Sequence, residues 1–340
     1  MGKLENRRFI GRQFFSDRKK KIIDAYNENL RNTENVANSL EHDKNIKNMT
    51  ENIFYEAFNN GRSRVDRIEL PIINKDESRI DVSIVIPIKG RIEQLPSILY
   101  FINQEIDKNE LNIKVVIVEQ NSISTENKRT CEEYNADYIF INSNEVFNKC
   151  LCHNVGSFLH NSKYIMFHDV DLIVPDNFFR DLFINLGEMK AIQCFSKRRV
   201  FYIDENISNI IRLGKDLEIL KNNNGSIREG KEGAPGGSII INRDFFESIG
   251  GFDHNLFWGY SIEDGFFWKK ISNKIEMNGC NNPNIDMYHL WHEPTHNTNP
   301  NLAYEHRIYH TFVDFNMDRV DFYLDKCKDE YNKIKNRICP

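Results

Sequence analysis

The stretch that decides the fold is Tyr164-Ile165-Met166-Phe167-His168-Asp169-Val170-Asp171, in which a short apolar run is followed directly by two carboxylates. A run of this length predicts a β-strand that is buried on both faces. Similar β-branched runs occupy residues 82–87 and 115–118, and residues 92–106 and 147–159 carry apolar residues at helical spacing. Strands that alternate with helices in this way predict an α/β fold, with a mixed, mostly parallel sheet flanked by helices.

The regions on either side of this pattern differ from it in composition. Residues 1–80 are polar, rich in Asn and Lys, and show weak helical spacing, whereas residues 301–340 are charged and helical in pattern. We therefore predict a helical N-terminal extension at 1–80, an α/β domain at 81–300 and a C-terminal helical extension at 301–340. The basic residues 18–21 are either a solvated face or a peripheral contact with a membrane surface.

Composition and charge exclude some classes of function. A net charge of −5 gives no reason to expect a nucleic acid as partner. The N-terminal residues contain no apolar signal core, and no run approaches the ~18 apolar residues of a membrane span. We therefore expect a cytoplasmic protein, with contact to the inner face of the cell membrane as the one further location considered.

Asp169 and Asp171 stand at the end of a predicted strand, where ligands bind in parallel sheets. Two carboxylates two residues apart can hold one hard cation, and such a cation neutralises the phosphates of a nucleotide diphosphate. The alternative is a turn in which Asp serves only as a cap.

A second block combines glycines, aromatic rings and acids. The pair Gly236-Gly237 precedes an apolar run, and residues 257–264 read Phe-Trp-Gly-Tyr-Ser-Ile-Glu-Asp. Aromatic rings beside carboxylates suit sugar binding, and one of the acids could act as general base towards an acceptor hydroxyl. The alternative is that the rings belong to the core and the acids begin a helix.

His289 and His292 follow a predicted strand at 285–288. Imidazole together with carboxylate favours a transition metal such as Mn²⁺ over Mg²⁺. Residues three apart on a strand face opposite ways, so only one of the two is a good ligand candidate unless the chain turns here. The alternative is a structural histidine.

In this order the motifs resemble those of the β-1,4-galactosyltransferase family and its bacterial relatives, which include the galactosamine-transferring domains of chondroitin-type polymerases. The similarity covers residues 82–295. I-P-I-K-G-R at 86–91 resembles the family's I-P-F-R-N-R, F-N-K at 147–149 resembles F-N-R, and D-V-D-L-I at 169–173 is identical to the family motif. The segment 258–264 resembles W-G-W-G-G-E-D. The resemblance implies the GT-A fold, the fold of nucleotide-diphospho-sugar transferases.

The resemblance also implies a metal site. Asp171 is the implied metal ligand, and Asp169 contacts the metal or the donor. H-L-W-H at 289–292 stands where the family has M-x-x-H, so His292 matches the metal-ligating histidine and His289 takes the place of a methionine ligand. Which histidine binds the metal stays open, and the implied cofactor is Mn²⁺, with Mg²⁺ as the alternative.

The other implied roles concern the two substrates. Asp264 is the implied catalytic base, and Glu263 holds the acceptor. Trp258 and Tyr260 are implied as aromatic contacts of the acceptor, and Tyr260 also faces the donor. The remaining residues implied on the donor side are Pro87, Lys89, Arg91, Phe147, Lys149, Asp169, Val170, Gly236 and Gly237.

The implied reaction is an inverting transfer of galactose or N-acetylgalactosamine from a UDP-sugar donor to a hydroxyl of a glycan or lipid-linked saccharide acceptor, in bacterial surface polysaccharide assembly. Ala234 aligns loosely with a bulky family tyrosine, and a small residue there slightly favours N-acetylgalactosamine. The Gly-rich segment 222–235 is the predicted lid. Two alternatives are a metal-dependent hydrolase of nucleotide-sugars and a non-catalytic scaffold that binds a UDP-sugar.

Overall fold

A computed structural model describes residues 39–186, 191–193, 200–222, 227–229, 236–259, 261–272, 274, 287–293, 299, 302–313 and 317–339. The chain divides into two compact units, residues 1–55 and 56–340. The first described element is helix α1 (Ser39–Asp66), whose residues from 56 onward belong to the second unit. The basic residues 18–21, Ala234 and Tyr260 lie outside the described residues, as does most of the predicted lid.

The larger sheet lies in the second unit and has six strands. In chain order they are β1 (Asp76–Ile88), β2 (Ile113–Asn121), β3 (Asp137–Asn142), β4 (His160–His168), β6 (Ala191–Gln193) and β9 (Ser238–Asn242). They are arranged in the order β3-β2-β1-β4-β9-β6. The first four are parallel to one another, and β9 is antiparallel to both β4 and β6. The predicted mixed, mostly parallel sheet is confirmed.

Strand β1 is covered by helices on both faces. Val82, Ile84 and Ile86 are fully buried in a cluster that includes apolar residues of helix α2 (Leu95–Ile106). Helix α4 (Lys149–Ser157) lies against the other face, where a methyl group on its Gly156 would come within 2.4 Å of Val85. Because successive side chains of a strand point to opposite faces, a continuous apolar run is what such a strand needs.

A smaller sheet follows the carboxyl end of β4. Its strands are β5 (Leu172–Ile173), β7 (Val200–Ile203), β8 (Ile227–Glu229) and β10 (Met287–His289), in the order β5-β10-β7-β8. His289 pairs with Leu172, the residue after Asp171. The described part of the predicted lid therefore contains a strand, since residues 227–229 pair with β7.

The remaining elements are short helices and two C-terminal helices. They are α3 (Asn127–Glu133), α5 (Phe178–Leu186), α6 (Glu205–Gly214), a 3₁₀ turn (Glu218–Asn222), α7 (Arg243–Ser248), α8 (Glu263–Ser272), α9 (Leu302–Val313) and α10 (Met317–Ile338). Helices therefore occur in both predicted extensions. Among the described residues, none of the helices combines the length and the apolar character needed to cross a membrane.

Candidate active site

The order of the parallel strands predicts where a ligand binds. The chain runs from β1 outward to β3 and then returns to the other side of β1 with β4. In open α/β sheets, ligands bind outside the carboxyl ends of the strands at such a reversal. Lys89 and Arg91 follow β1 and Asp169 follows β4, so three predicted site residues lie at this position.

The glycine pair lies between two predicted acidic residues. The backbone N–H of Asp169 donates to the carbonyl of Gly237 at 2.8 Å. A methyl group added to Gly236 would lie 2.0 Å from Oδ2 of Asp264. The glycines therefore allow the end of β4 and the start of α8 to approach each other closely.

Lys149 lies at the centre of an acidic cluster. Its Nζ is 2.9 Å from Oδ1 of Asp169, 3.5 Å from Oε1 of Glu263 and 3.2 Å from Oδ2 of Asp264. The lysine side chain is 15% exposed and that of Glu263 is 10% exposed. The resemblance assigns Lys149 to the donor, and in this structure its ammonium balances the charge of the predicted base and acceptor residues.

Burial and charge shift the pKa values of this cluster. Burial raises the pKa of Glu263 to about 7, and the charge of Asp264 adds to this while Lys149 opposes it. Burial also raises the pKa of Asp169 to about 6, against the effect of Lys149. Burial lowers the pKa of Lys149, but the three acids outweigh it and raise that pKa well above its ordinary value. Lys149 therefore stays charged, while burial favours the protonated forms of Glu263 and Asp169 more than it would for exposed carboxyls.

Asp171 and both histidines form one cluster of potential metal ligands. Nε2 of His292 is 3.1 Å from Oδ2 of Asp171, and Nε2 of His289 is 3.6 Å from Oδ1. One ligating atom from each of the three residues lies within 4.8 Å of the others. Burial raises the pKa of Asp171, but His289, His292 and Arg91 outweigh it and hold the pKa below its usual range. Burial lowers the pKa of His289, which favours the neutral imidazole that binds metals.

Both histidines face Asp171 because the chain turns between them. Strand β10 ends at His289, and the N–H of Leu290 donates to the carbonyl of Asp171 at 2.8 Å. The alternation of side chains along a strand therefore does not extend to His292. The ring of Tyr202 lies 4.7 Å from that of His289 and limits its movement. Asp171, His289 and His292 are thus all candidate ligands, and together they suit a divalent transition metal.

The other predicted donor-side residues differ in their exposure. Pro87 is buried in β1, and Val170 is 5% exposed within the main apolar core. Lys89 donates to the carbonyl of Glu145 at 2.9 Å. Arg91 is half-buried with a φ of 61°, a left-handed conformation at the sharp exit from β1. The charge of Arg91 is one of the effects that lower the pKa of Asp171 in the histidine cluster.

Trp258 is buried rather than displayed to solvent. It is 3% exposed, and the guanidinium of Arg64 lies 3.8 Å from the centre of its ring. The backbone N–H of Trp258 donates to Oε1 of Glu305 at 3.1 Å. The role predicted for Trp258 in acceptor stacking would require a ring face that Arg64 covers in this structure.

The predicted F-N-K motif contacts the glycine–aromatic block. The carbonyl of Phe147 accepts from the N–H of Gly259 at 2.6 Å, and Nδ2 of Asn148 donates to the carbonyl of His254 at 2.7 Å. Asn148 also caps α4, since its Oδ1 accepts from the N–H of Leu151. The asparagine was not among the predicted site residues, although its place directly before Lys149 was a usable signal.

Glu119 is a second residue that the sequence analysis did not select. It is fully buried near the carboxyl end of β2, where its Oε2 accepts from Tyr138 at 2.7 Å and from Thr125 at 3.1 Å. Within the described part of the chain, Oε1 of Glu119 and Oδ1 of nearby Asn127 have no hydrogen-bond partner. A polar residue at the end of a buried parallel strand was the signal available. A cavity of ≈530 Å³ beside β3 contains none of the predicted site residues.

Comparison with solved structures finds proteins solved with UDP or UDP-Gal, at low identity. A mutant of Drosophila β1,4-galactosyltransferase 7, in complex with manganese, UDP-Gal and xylobiose, is 15% identical over 63% of this chain and 71% of that chain, with a TM-score of 0.43. Glucosyl-3-phosphoglycerate synthase from Mycobacterium tuberculosis, with Mn²⁺, UDP and glucosyl-3-phosphoglycerate, is 10% identical over 69% and 79%, also with a TM-score of 0.43. The same synthase with Mg²⁺ and UDP has a TM-score of 0.42, at 10% identity over 69% and 78%. Likenesses of this strength carry no information on the donor or acceptor of this chain.

Sequence comparison with whole families is more decisive. None of the curated proteins compared with the chain matches it. Residues 83–297, well over half of the chain, match the family described as "Glycosyltransferase like family 2". This match begins within β1 and covers both clusters of polar residues and β10. With its mostly parallel sheet, the chain has the GT-A architecture predicted from the sequence, and it belongs to the glycosyltransferase-like family 2.

Proposed function

We propose that this glycosyltransferase transfers a sugar from UDP to an acceptor hydroxyl, with inversion at the anomeric carbon and dependence on a divalent metal. One observation carries the proposal. The cluster of Asp171, His289 and His292 adjoins, through the two-residue step from Asp171 to Asp169, the cluster in which Lys149 joins three acids. A site for a metal-bound diphosphate and a site for a base are then neighbours.

The residues of the first cluster fit a divalent metal. One carboxylate and two imidazoles favour Mn²⁺, with Mg²⁺ as the weaker choice. Asp171, His289 and His292 would hold the ion, and Asp169 would contact it or the donor. Such an ion would neutralise the diphosphate and stabilise the UDP leaving group. Arg91 adds a positive charge on the same side, which suits an anionic donor.

The second cluster supplies the acid–base chemistry. Asp264 accepts the proton of the acceptor hydroxyl as that oxygen attacks the anomeric carbon from the face opposite to UDP. Lys149, 3.2 Å from Asp264, balances the negative charge of the base. Glu263, of which Oε2 has no hydrogen-bond partner within the described residues, holds the acceptor sugar. Gly236 leaves room for Asp264 because it has no side chain.

The finer assignments of substrate extend this proposal. The donor is UDP-galactose or UDP-N-acetylgalactosamine, and the loose alignment of Ala234 slightly favours the second. The acceptor is a glycan or a lipid-linked saccharide in the assembly of a bacterial surface polysaccharide, at the cytoplasmic side of the membrane. The basic residues 18–21 would then provide a peripheral membrane contact.

A donor screen tests the proposal. The full chain is incubated with Mn²⁺ and each of UDP-galactose, UDP-N-acetylgalactosamine, UDP-glucose and UDP-N-acetylglucosamine, with and without a mixture of oligosaccharide acceptors, and release of UDP is measured. We expect release that needs both Mn²⁺ and an acceptor, and is fastest with one of the two galacto-configured donors.

Other outcomes of this screen would contradict the proposal. Release that does not depend on an acceptor would indicate a hydrolase of nucleotide-sugars. Binding of a UDP-sugar without release under any condition would indicate a non-catalytic scaffold. A preference for UDP-glucose would be consistent with the proposed transferase activity but would overturn the donor assignment.

A further inference from the structure

The backbone of Trp291, the residue directly before His292, is held by one helix. The N–H of Trp291 donates to Oγ of Ser208 at 2.8 Å, and the carbonyl of Trp291 accepts from the guanidinium of Arg212. The backbone N–H and the backbone carbonyl of Trp291 are therefore both bonded to side chains of α6. Neither Ser208 nor Arg212 is a potential metal ligand in the cluster of Asp171, His289 and His292.

The sequence of α6 places these two side chains together. Ser208 and Arg212 are four residues apart, and residues at this spacing lie one above the other on a helix face. Ser208 is fully buried, and a second guanidinium nitrogen of Arg212 donates to Oδ1 of Asn209 at 2.6 Å. The helix begins at a fixed point, because Asp204 caps it by accepting from the N–H of Ile207 at 2.9 Å.

A third hydrogen bond holds Leu290, the other residue between the two histidines. The N–H of Leu290 donates to the carbonyl of Asp171, and Leu290 is fully buried. The two residues between the histidines are therefore bonded to α6 and to Asp171 itself. These bonds hold the backbone after β10, and this backbone sets the position from which the side chain of His292 extends.

We propose that Ser208 and Arg212 are positioning residues of the metal site. They fix the backbone N–H and carbonyl of Trp291, so that His289 and His292 both present Nε2 to Asp171. This inference rests on the proposed function, since it assumes that the cluster binds a metal. Groups that orient metal ligands in this way typically change metal affinity by about 10–100-fold when they are removed. If Arg212 acted only through its positive charge, its removal would tighten metal binding, because a cation near the site repels the metal.

Direct measurement of Mn²⁺ binding by the full chain, without any nucleotide, tests the inference. Calorimetric titration or the electron paramagnetic resonance signal of free Mn²⁺ gives the affinity. We expect Ser208→Ala and Arg212→Gln each to weaken Mn²⁺ binding by about 10–100-fold. Ser208→Thr, which keeps a hydroxyl, should bind close to wild type. Leu213→Ala is the matched control, since Leu213 lies on the same helix and is 88% exposed.

A second measurement separates positioning from general destabilisation. If Ser208 acts through His292, Ser208→Ala should have little further effect on Mn²⁺ affinity in a His292→Ala background. Should Ser208→Ala fail to fold, as judged by circular dichroism, Arg212→Gln and the Ser208→Thr comparison decide the question on their own.

The outcomes distinguish this inference from the proposed function. If the wild type shows no saturable Mn²⁺ binding that Asp171→Asn abolishes, the proposed metal site itself is wrong. If Asp171→Asn abolishes binding while folded Ser208→Ala and Arg212→Gln bind as the wild type does, the metal site stands and the positioning role is overturned. Tighter binding by Arg212→Gln would likewise overturn it, because charge rather than orientation would then dominate.

Discussion

At the scale of single residues, the proposed chemistry depends most on Asp264. Its carboxylate lies in contact with Lys149 and next to Gly236, at the start of α8. We expect Asp264→Asn to lower turnover by about 10²–10⁴-fold, because the amide cannot accept the proton of the acceptor hydroxyl. Affinity for UDP in the presence of Mn²⁺ should be unchanged. Near-normal turnover by this variant, measured as UDP release, would show that the base is another residue.

Gly236 gives a second prediction at this scale. A methyl group at this position would lie 2.0 Å from Oδ2 of Asp264, a distance that forces the carboxylate to move. We expect Gly236→Ala to lower kcat by about 100-fold, since a displacement of 1 Å at a reacting group can cost that much. The thermal midpoint should change little, because the end of a flexible side chain absorbs the collision.

Gly214→Ala is the control for this substitution. A methyl group on Gly214, at the end of α6, meets nothing within 4 Å, so both turnover and the thermal midpoint should match the wild type. A Gly236→Ala enzyme with full activity would mean that Asp264 can leave its observed position without consequence for catalysis.

At the scale of elements, α4 connects the sheet to the acidic cluster around Lys149. Asn148 precedes it and caps it by accepting from the N–H of Leu151. Its side chain also donates to the carbonyl of His254, and the residue is fully buried. We expect Asn148→Ala to lower the free energy of unfolding by about 2–4 kcal/mol, which combines the loss of a helix cap with a buried carbonyl left unpaired. Urea unfolding measures this change.

A cap of the same residue type provides the matched control. Asn242 caps α7 by accepting from the N–H of Phe245 at 3.0 Å, and it is only half-buried. Asn242→Ala should therefore cost only about 1 kcal/mol. Equal losses in the two variants would indicate that the bond from Asn148 to His254 contributes nothing to stability.

The elements also show what the sequence could predict and why. Strands β1, β2 and β4 were predictable because each contains a short, mainly apolar run, and α4 because its apolar residues recur at helical spacing. The smaller sheet was not, since β5 has two residues and β10 has three, and such short strands exist only through pairing with distant segments. The turn after β10 depends on that pairing, so the orientation of His292 towards Asp171 was beyond any local pattern.

The place of Lys149 has the same explanation. Its residue type and motif associate it with an anion, but three carboxylates from two distant segments surround it in the folded chain. Which anion it meets depends on the approach of α8 to β4, a tertiary property. Trp258 is similar, because nothing in its own segment indicates that Arg64 of α1 covers its ring.

At the scale of the whole molecule, buried histidines make stability depend on pH. His254 is 3% exposed, its Nδ1 accepts from Asn154 at 2.9 Å, and its Nε2 has no hydrogen-bond partner within the described residues. Burial lowers the pKa of His254 to about 4, against the smaller opposing effect of Asp253. The folded state therefore binds fewer protons than the unfolded state between pH 6.5 and 4, so stability falls as the pH falls through this range.

Comparison of the wild type with His254→Gln tests this dependence. We expect the difference in free energy of unfolding between the two proteins to change by up to about 3 kcal/mol between pH 6.5 and pH 4, with the wild type losing more on acidification. Urea unfolding at a series of pH values gives both curves. Parallel curves across this range would contradict the assignment of a depressed pKa to this histidine.

The guanidinium stacked on Trp258 has a practical consequence for anyone who shortens this protein. A fragment that starts at residue 81, the domain border expected from composition, lacks both Arg64 and Gly61. Gly61 packs closely against the backbone of Asn255, since a methyl group on Gly61 would lie 1.6 Å from the Asn255 carbonyl oxygen. Such a fragment should fluoresce at longer wavelength, because water then reaches an indole that the intact molecule shields. A fragment that begins upstream of Gly61 should keep the indole of Trp258 shielded from water.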